Sequence, residues 1–217
     1  MSDYSAARTA MVDCQVRPSD VTKFPIIEAL LSVPREVYVP AAKKPVAYAG
    51  EHIALSADRV LLDARTFAKM LDTANVQRGD LVLDLGCGLG YSAAVLGRLA
   101  EVVVAVESDA DLAEKATELL SDQSADNVLV TNADLTEGAP KHGPYDLVFI
   151  QGAVEVLPDS IADQVKDGGR IIAIFQENAL GQCRIGYKAH GKVSWQYAFD
   201  ASAPVLSGFE RAEEFAL

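Results

Sequence analysis

The chain has 217 residues, half of them hydrophobic and 23% charged, and 31 acidic against 19 basic side chains give a net charge of −12. That balance argues against partners such as nucleic acid or an anionic membrane, and leaves small molecules or protein segments. Cys14, Cys87 and Cys183 lie far apart and outside any Cys-x-x-Cys pair, so neither a disulfide framework nor a metal site is suggested; no signal peptide or long apolar span is read, and a cytoplasmic protein is expected.

Within residues 3–14, Ala6, Ala7, Ala10, Met11 and Cys14 fall at helical spacing. Arg17-Pro18-Ser19-Asp20 then breaks the pattern and offers capping oxygens for a second helix over about 21–31, with Pro25 in its first turns and Ile26, Ile27, Leu30 and Leu31 as its apolar stripe. Pro34 and Pro40 make 33–40 a turn with a short extended piece, and 41–58 is irregular. A helical period returns in Leu61, Leu62, Ala64, Phe67, Ala68 and Leu71. Residues 1–60 therefore read as a helical cover and 61–217 as one compact core.

Five apolar, mostly β-branched runs follow, at 81–86, 101–107, 127–134, 145–153 and 169–175, separated by helical segments that include 109–121 and 158–166, the latter closed by Asp167-Gly168-Gly169. Strands alternating with helices predict an α/β fold, a doubly wound and mostly parallel sheet. Residues 183–189 and 193–199 flank His190-Gly191-Lys192, which predicts a C-terminal antiparallel hairpin at the sheet's edge.

The stretch 82–96, VLDLGCGLGYSAAVL, reads as strand, tight glycine turn and helix. Its glycines, Gly86, Gly88 and Gly90, are spaced G-x-G-x-G rather than G-x-G-x-x-G, with Asp84 two places before the first, and no P-loop pattern occurs. Glu107 ends the second strand, where a carboxylate can accept hydrogen bonds from both hydroxyls of a ribose. Asp134 follows the third strand and can accept from an exocyclic adenine amino group. Plainer readings stand beside these: Asp84 as a buried structural carboxylate, Glu107 and Asp134 as solvated acids at strand ends, Arg59 and Asp63 as surface residues of a helix start, and His52, His142 and His190 as isolated side chains.

Asp84, Gly86, Gly88, Gly90, Glu107 and Asp134, continued by PYDLVFIQGA and DGGRIIAI, resemble the class I S-adenosylmethionine-dependent methyltransferases, which have a Rossmann-like fold. More narrowly, MVDCQVRPSDVTKFPIIEALLSVPREVYVP is similar to the N-terminal segment of protein-L-isoaspartate O-methyltransferases. The resemblance implies S-adenosyl-L-methionine as cofactor and adds Cys87, Tyr91, Ser108, Leu135 and Gln151 to its binding set. It also implies methyl transfer to the carboxylate of isoaspartyl residues in damaged proteins, a repair reaction. Oligomeric state is not legible.

The resemblance breaks at one place. Where family members carry Gly-Gln-Thr-Ile-Ser-x-Pro, whose hydroxyls sit near the reacting carboxylate, this chain reads Asp58-Arg59-Val60-Leu61-Leu62-Asp63-Ala64. Val60 and Leu62 thus stand at the acceptor-site positions without hydroxyls, and the family's Pro-Val-Gly after the fifth strand is replaced by Ile174-Phe175-Gln176. Such a pocket suits a less polar acceptor, including a small molecule, so a paralogue with another substrate and a non-enzymatic binding protein remain as alternatives. An ionised carboxylate nucleophile needs no general base, so the absence of a His/Asp dyad is expected.

Overall fold

The computed structural model describes residues 4–177 and 180–211. A seven-stranded sheet runs in the order β5-β4-β3-β6-β7-β8-β9. Its strands are β3 (Leu81–Leu85), β4 (Val102–Glu107), β5 (Val128–Asn132), β6 (Tyr145–Val154), β7 (Val165–Glu177), β8 (Leu180–Ala189) and β9 (Lys192–Asp200), and a separate two-stranded pair joins β1 (Ile53–Ala54) to β2 (Val60–Leu61). β3 to β7 pair in parallel, whereas β8 and β9 pair antiparallel, as the alternating patterns predict. His190 and Gly191 both adopt positive φ, the geometry a two-residue hairpin turn requires.

Strand burial explains the composition of the runs. Val103 and Ala105 of β4 face one core with α4 (Tyr91–Gly97) and α5 (Ala110–Asp122), while Val104 and Val106 face a second core with Ile161 of α6 (Asp159–Ala162), Leu206 and Phe209. With apolar groups needed on both faces, the central strands read as continuous hydrophobic runs. The N-terminal cover, with α1 (Tyr4–Met11) and α2 (Phe24–Ser32), packs into the first of these cores through Met11, Ile27 and Leu30, beside Phe67 and Leu71 of α3 (Ala64–Ala74).

Several local expectations change. The first expected helix ends at Met11 and continues as a π-helical turn, Val12–Val16, and residue 3 of that span lies outside the described residues. α2 starts later, at Phe24, with Pro25 in its first turn and Lys23 at its N-cap, and no side chain of 17–20 caps it. The turn at 33–40 is a 3-10 turn, Arg35–Tyr38. The helix expected over 158–166 is the single turn α6, because β7 already begins at Val165, and Gly168, at φ 86°, belongs to the strand's irregular start. By contrast Asp109 caps α5, accepting from the N–H groups of Asp111 and Leu112.

Candidate functional site

The glycine turn lies at the carboxyl end of the parallel sheet, where open α/β folds bind ligands. Gly86, Gly88 and Gly90 all have positive φ (77°, 57° and 94°), a conformation that strains any side chain. Leu85 is in register with Val106, so the turn leaves β3 beside the end of β4, and the N–H groups of Gly86 and Cys87 reach the Val106 carbonyl at 2.9 and 3.3 Å. Gly88 N–H donates to Glu107 Oε2 at 2.8 Å. Gly90 is the N-cap of α4.

Asp84 is fully buried at the base of this turn. Ser92 Oγ of α4 donates to one carboxylate oxygen at 2.6 Å and Gln151 Nε2 of β6 to the other at 2.8 Å. Burial pushes its pKa up to about 7, against the pull of these two donors. It therefore acts as a structural carboxylate that fastens strand, helix and neighbouring strand together, with Gln151 as one of its partners.

Glu107 carries the densest polar contacts of the site. Besides Gly88, its oxygens accept from the N–H groups of Ser108 (2.9 Å) and Asp109 (3.1 Å). Arg59 Nε reaches both of them, at 3.0 and 3.2 Å, and its NH2 donates to Ser108 Oγ at 2.7 Å. Reading Arg59 as a surface residue is thereby corrected: its side chain is 2% exposed against 0% for Glu107. The local cause is the β1–β2 pair, which returns the chain so that Leu55 and Ser56 N–H both bond to the Arg59 carbonyl and the guanidinium turns inward. Asp63, read the same way, instead caps α3 through Thr66 N–H.

Other predicted positions scatter around this centre. Asp134 is exposed and held below the usual carboxylate range by the Thr136 hydroxyl and N–H. Leu135 is buried near Gly86. Cys87 is buried, with its thiol pKa raised by desolvation. Tyr91 packs away in an aromatic cluster with Tyr38 and Phe67, with the Arg35 guanidinium 5.0 Å from its ring centre. Val60 is half-buried, and Leu62 is 1% exposed with its carbonyl accepting from the buried Arg35 at 2.7 Å.

Sequence reasoning missed the side chains that lie over the turn. A Cβ placed on Gly88 would meet Leu55 Cδ1 at 2.5 Å, and one on Gly152 would meet Leu206 at 2.7 Å; Leu206 also lies beside Gly86. Segments 52–59 and 202–209 are tied together by His52 Nε2 to the Ser202 carbonyl (2.8 Å) and Ser207 Oγ to Asp58 (3.0 Å). His52, read as isolated, also meets Asp63, its Nδ1 lying 2.9 Å from the Asp63 backbone nitrogen and 3.3 Å from its carboxylate. Only the departure from the family's pattern at 58–62 flagged this region. An open cavity of about 480 Å³ lies elsewhere, between α2 and the end of α3, and shares no residue with the glycine turn.

The family model described as protein-L-isoaspartate(D-aspartate) O-methyltransferase (PCMT) matches residues 7–200. A protein-L-isoaspartate O-methyltransferase of Koribacter versatilis is 31% identical over 172 residues, 79% of this chain and 78% of that one. One of Helicobacter pylori strain P12 is 36% identical over 151 residues, 70% of this chain and 72% of that one. Among solved structures, a protein-L-isoaspartate O-methyltransferase superposes with a TM-score of 0.81 at 23% identity, over 93% of this chain and 66% of that one. A Plasmodium falciparum protein described as a beta-aspartate methyltransferase, in complex with S-adenosyl-L-homocysteine, gives 0.79 at 17% identity, over 95% of this chain and 99% of that one. At these identities the two structures speak to the fold. On the sequence match, over most of its length, this chain belongs to the protein-L-isoaspartate O-methyltransferase family.

Proposed function

We propose that the chain is an S-adenosylmethionine-dependent O-methyltransferase acting on isoaspartyl carboxylates of proteins or peptides. The observation that carries this reading is the Gly86–Gly90 turn, with three glycines at positive φ and its Gly88 N–H bonded to the strand-end carboxylate Glu107. The residues fit an adenosyl ligand in kind: a backbone able to approach closely, a carboxylate for a diol, and Asp134 exposed after β5 for an adenine amino group. When bound, the cofactor would supply a methyl group on a sulfonium, from which a neutral thioether leaves. What the protein adds is orientation and exclusion of water, worth up to about 7–11 kcal/mol in favourable cases. Asp84, Gly86, Cys87, Gly88, Gly90, Tyr91, Glu107, Ser108, Asp134, Leu135 and Gln151 form the proposed cofactor set. Asp84, Tyr91 and Gln151 serve it from behind by fixing the turn.

A second reading, transfer to a less polar acceptor, is favoured by Val60 and Leu62, which present no hydroxyl to a carboxylate. Labelled methyl transfer to an isoaspartyl peptide, with a normal aspartyl peptide as control, decides between them. Transfer specific to the isoaspartyl peptide supports the first reading. Background transfer from a protein that binds S-adenosylhomocysteine supports the second. Among the described residues no helix is long and apolar enough to cross a membrane.

A further inference from the structure

A carboxylate has two oxygens and room for about four hydrogen bonds. Glu107 already accepts from Gly88, Ser108 and Asp109 N–H and from Arg59 Nε, which spans both oxygens. No acceptor direction remains for a ribose diol while Arg59 stays. Each nitrogen of Arg59 has a partner in turn: its NH1 donates to the Asp58 carbonyl at 3.0 Å and lies 3.5 Å from the Asp58 carboxylate, and its NH2 binds Ser108 Oγ. Leu55 lies over Gly88 and Leu206 against Gly86 and Gly152, so apolar groups from the same two segments also press on the turn at Gly86 and Gly88.

We propose that Arg59 is an internal ligand of the adenosyl site, taking the place of the ribose hydroxyls on Glu107, and that the strap 52–59 must lift from the glycine turn before an adenosyl ligand enters. The inference rests on the reading of the turn as a cofactor site and adds what controls admission to it. The exchange is unequal, because a neutral diol replaces a charge-assisted pair. A strap open in about 1–10% of molecules lowers apparent affinity about 10- to 100-fold relative to the open form. Arg59 occupies the position where the family pattern has glutamine, an uncharged side chain that cannot compete in this way. Arg59 is therefore the residue that sets cofactor affinity in this chain, and the ties His52–Ser202 and Asp58–Ser207 set how readily the strap opens.

The test is calorimetric titration of S-adenosylhomocysteine into the full chain, Arg59→Gln and Ser207→Ala, together with hydrogen exchange of the unsubstituted chain with and without that ligand. Arg59→Gln is expected to bind about 10- to 100-fold tighter. Ser207→Ala, at an exposed position, is expected to tighten binding a few-fold, and ligand is expected to deprotect the Asp63 amide, which lies outside the strap and bonds to His52 Nδ1 within it. Binding that is equal or weaker in Arg59→Gln, or unchanged protection of the Asp63 amide in the liganded chain, overturns the strap and leaves the cofactor reading standing. Absence of heat in all three folded proteins, at ligand concentrations well above the micromolar range, overturns the cofactor reading and the strap with it. The exchange measurement does not depend on any variant folding.

Discussion

Arg59 and Glu107 form an ion pair at 3.0 Å that is sealed from solvent at the carboxyl end of the parallel sheet. Breaking a buried pair from one side leaves the other charge uncompensated, at about 3–5 kcal/mol. Glu107→Gln is therefore expected to lower unfolding free energy in that range. Adding Arg59→Met to it should recover part of the loss, since the stranded cation is then gone. Chemical denaturation of the single and double variants measures both, and a double variant no more stable than Glu107→Gln would show that the charge is not what costs.

Asp84 gives the fold a signature in acid. Its folded pKa, about 7, is above the ordinary 3.8, so between those values the native state holds a proton that the unfolded state has released. Stability from this group is full below pH 3.8 and is lost as pH rises towards 7, by roughly 4 kcal/mol at most for a shift of this size. Asp84→Asn, with Gln151 free to turn its amide, should remove that component and be the more stable protein at pH 8. Denaturation midpoints at pH 5 and pH 8 for both proteins check it, and a parallel pH dependence in the two would refute the assignment.

The acceptor positions differ in tolerance. Leu62 is 1% exposed, so Leu62→Ser removes core volume and is expected to cost about 2–5 kcal/mol. Val60 is half-buried, and Val60→Thr should cost about 1 kcal/mol. If a missing hydroxyl limits the isoaspartyl reaction, Val60→Thr raises transfer to that peptide without altering S-adenosylhomocysteine affinity. No gain in a folded Val60→Thr favours the less polar acceptor.

Thiol chemistry offers an independent view of the cradle. Cys14 is exposed, while Cys87 and Cys183 are buried with their pKa values pushed up by desolvation, the latter to about 12. A thiolate is the reactive form, so an aromatic disulfide reagent should modify Cys14 alone in the native protein. Mass spectrometry after labelling locates the adduct, and prompt modification of Cys87 would contradict its burial within the turn.

The sheet was legible because its strands are apolar on both faces and are punctuated by glycine and acid. The glycine turn, with Asp84 and Glu107 beside it, stood out by spacing, and the order of motifs placed the family. Arg59, Leu55 and Leu206 were not legible, for a physical reason: each acts through a contact between segments far apart in the chain, Arg59 reaching Glu107 from 48 residues away. Periodicity reports which face of an element is buried, and 41–58 has none to report. Tyr91 misleads in the opposite sense, since its place after the last glycine points to the ligand while its ring is committed to the core with Tyr38 and Phe67.

The tie between His52 and Ser202 also has a meaning in time. It spans 150 residues, and closing so long a loop costs entropy before any contact rewards it. The glycine turn, Glu107 and Asp134 lie within a far shorter stretch, and the strand pairing that positions them is settled among near neighbours. Loop-closure entropy therefore places the β3–β5 cradle ahead of the 202–209 half of its cover, which reaches His52 only once β8 and β9 have delivered the residues beyond Asp200. Pulse-labelled hydrogen exchange during refolding should find the β3–β5 amides protected before that of Leu206, which bonds to the Ala153 carbonyl, so the 202–209 half of the cover is the last part of the site to arrive.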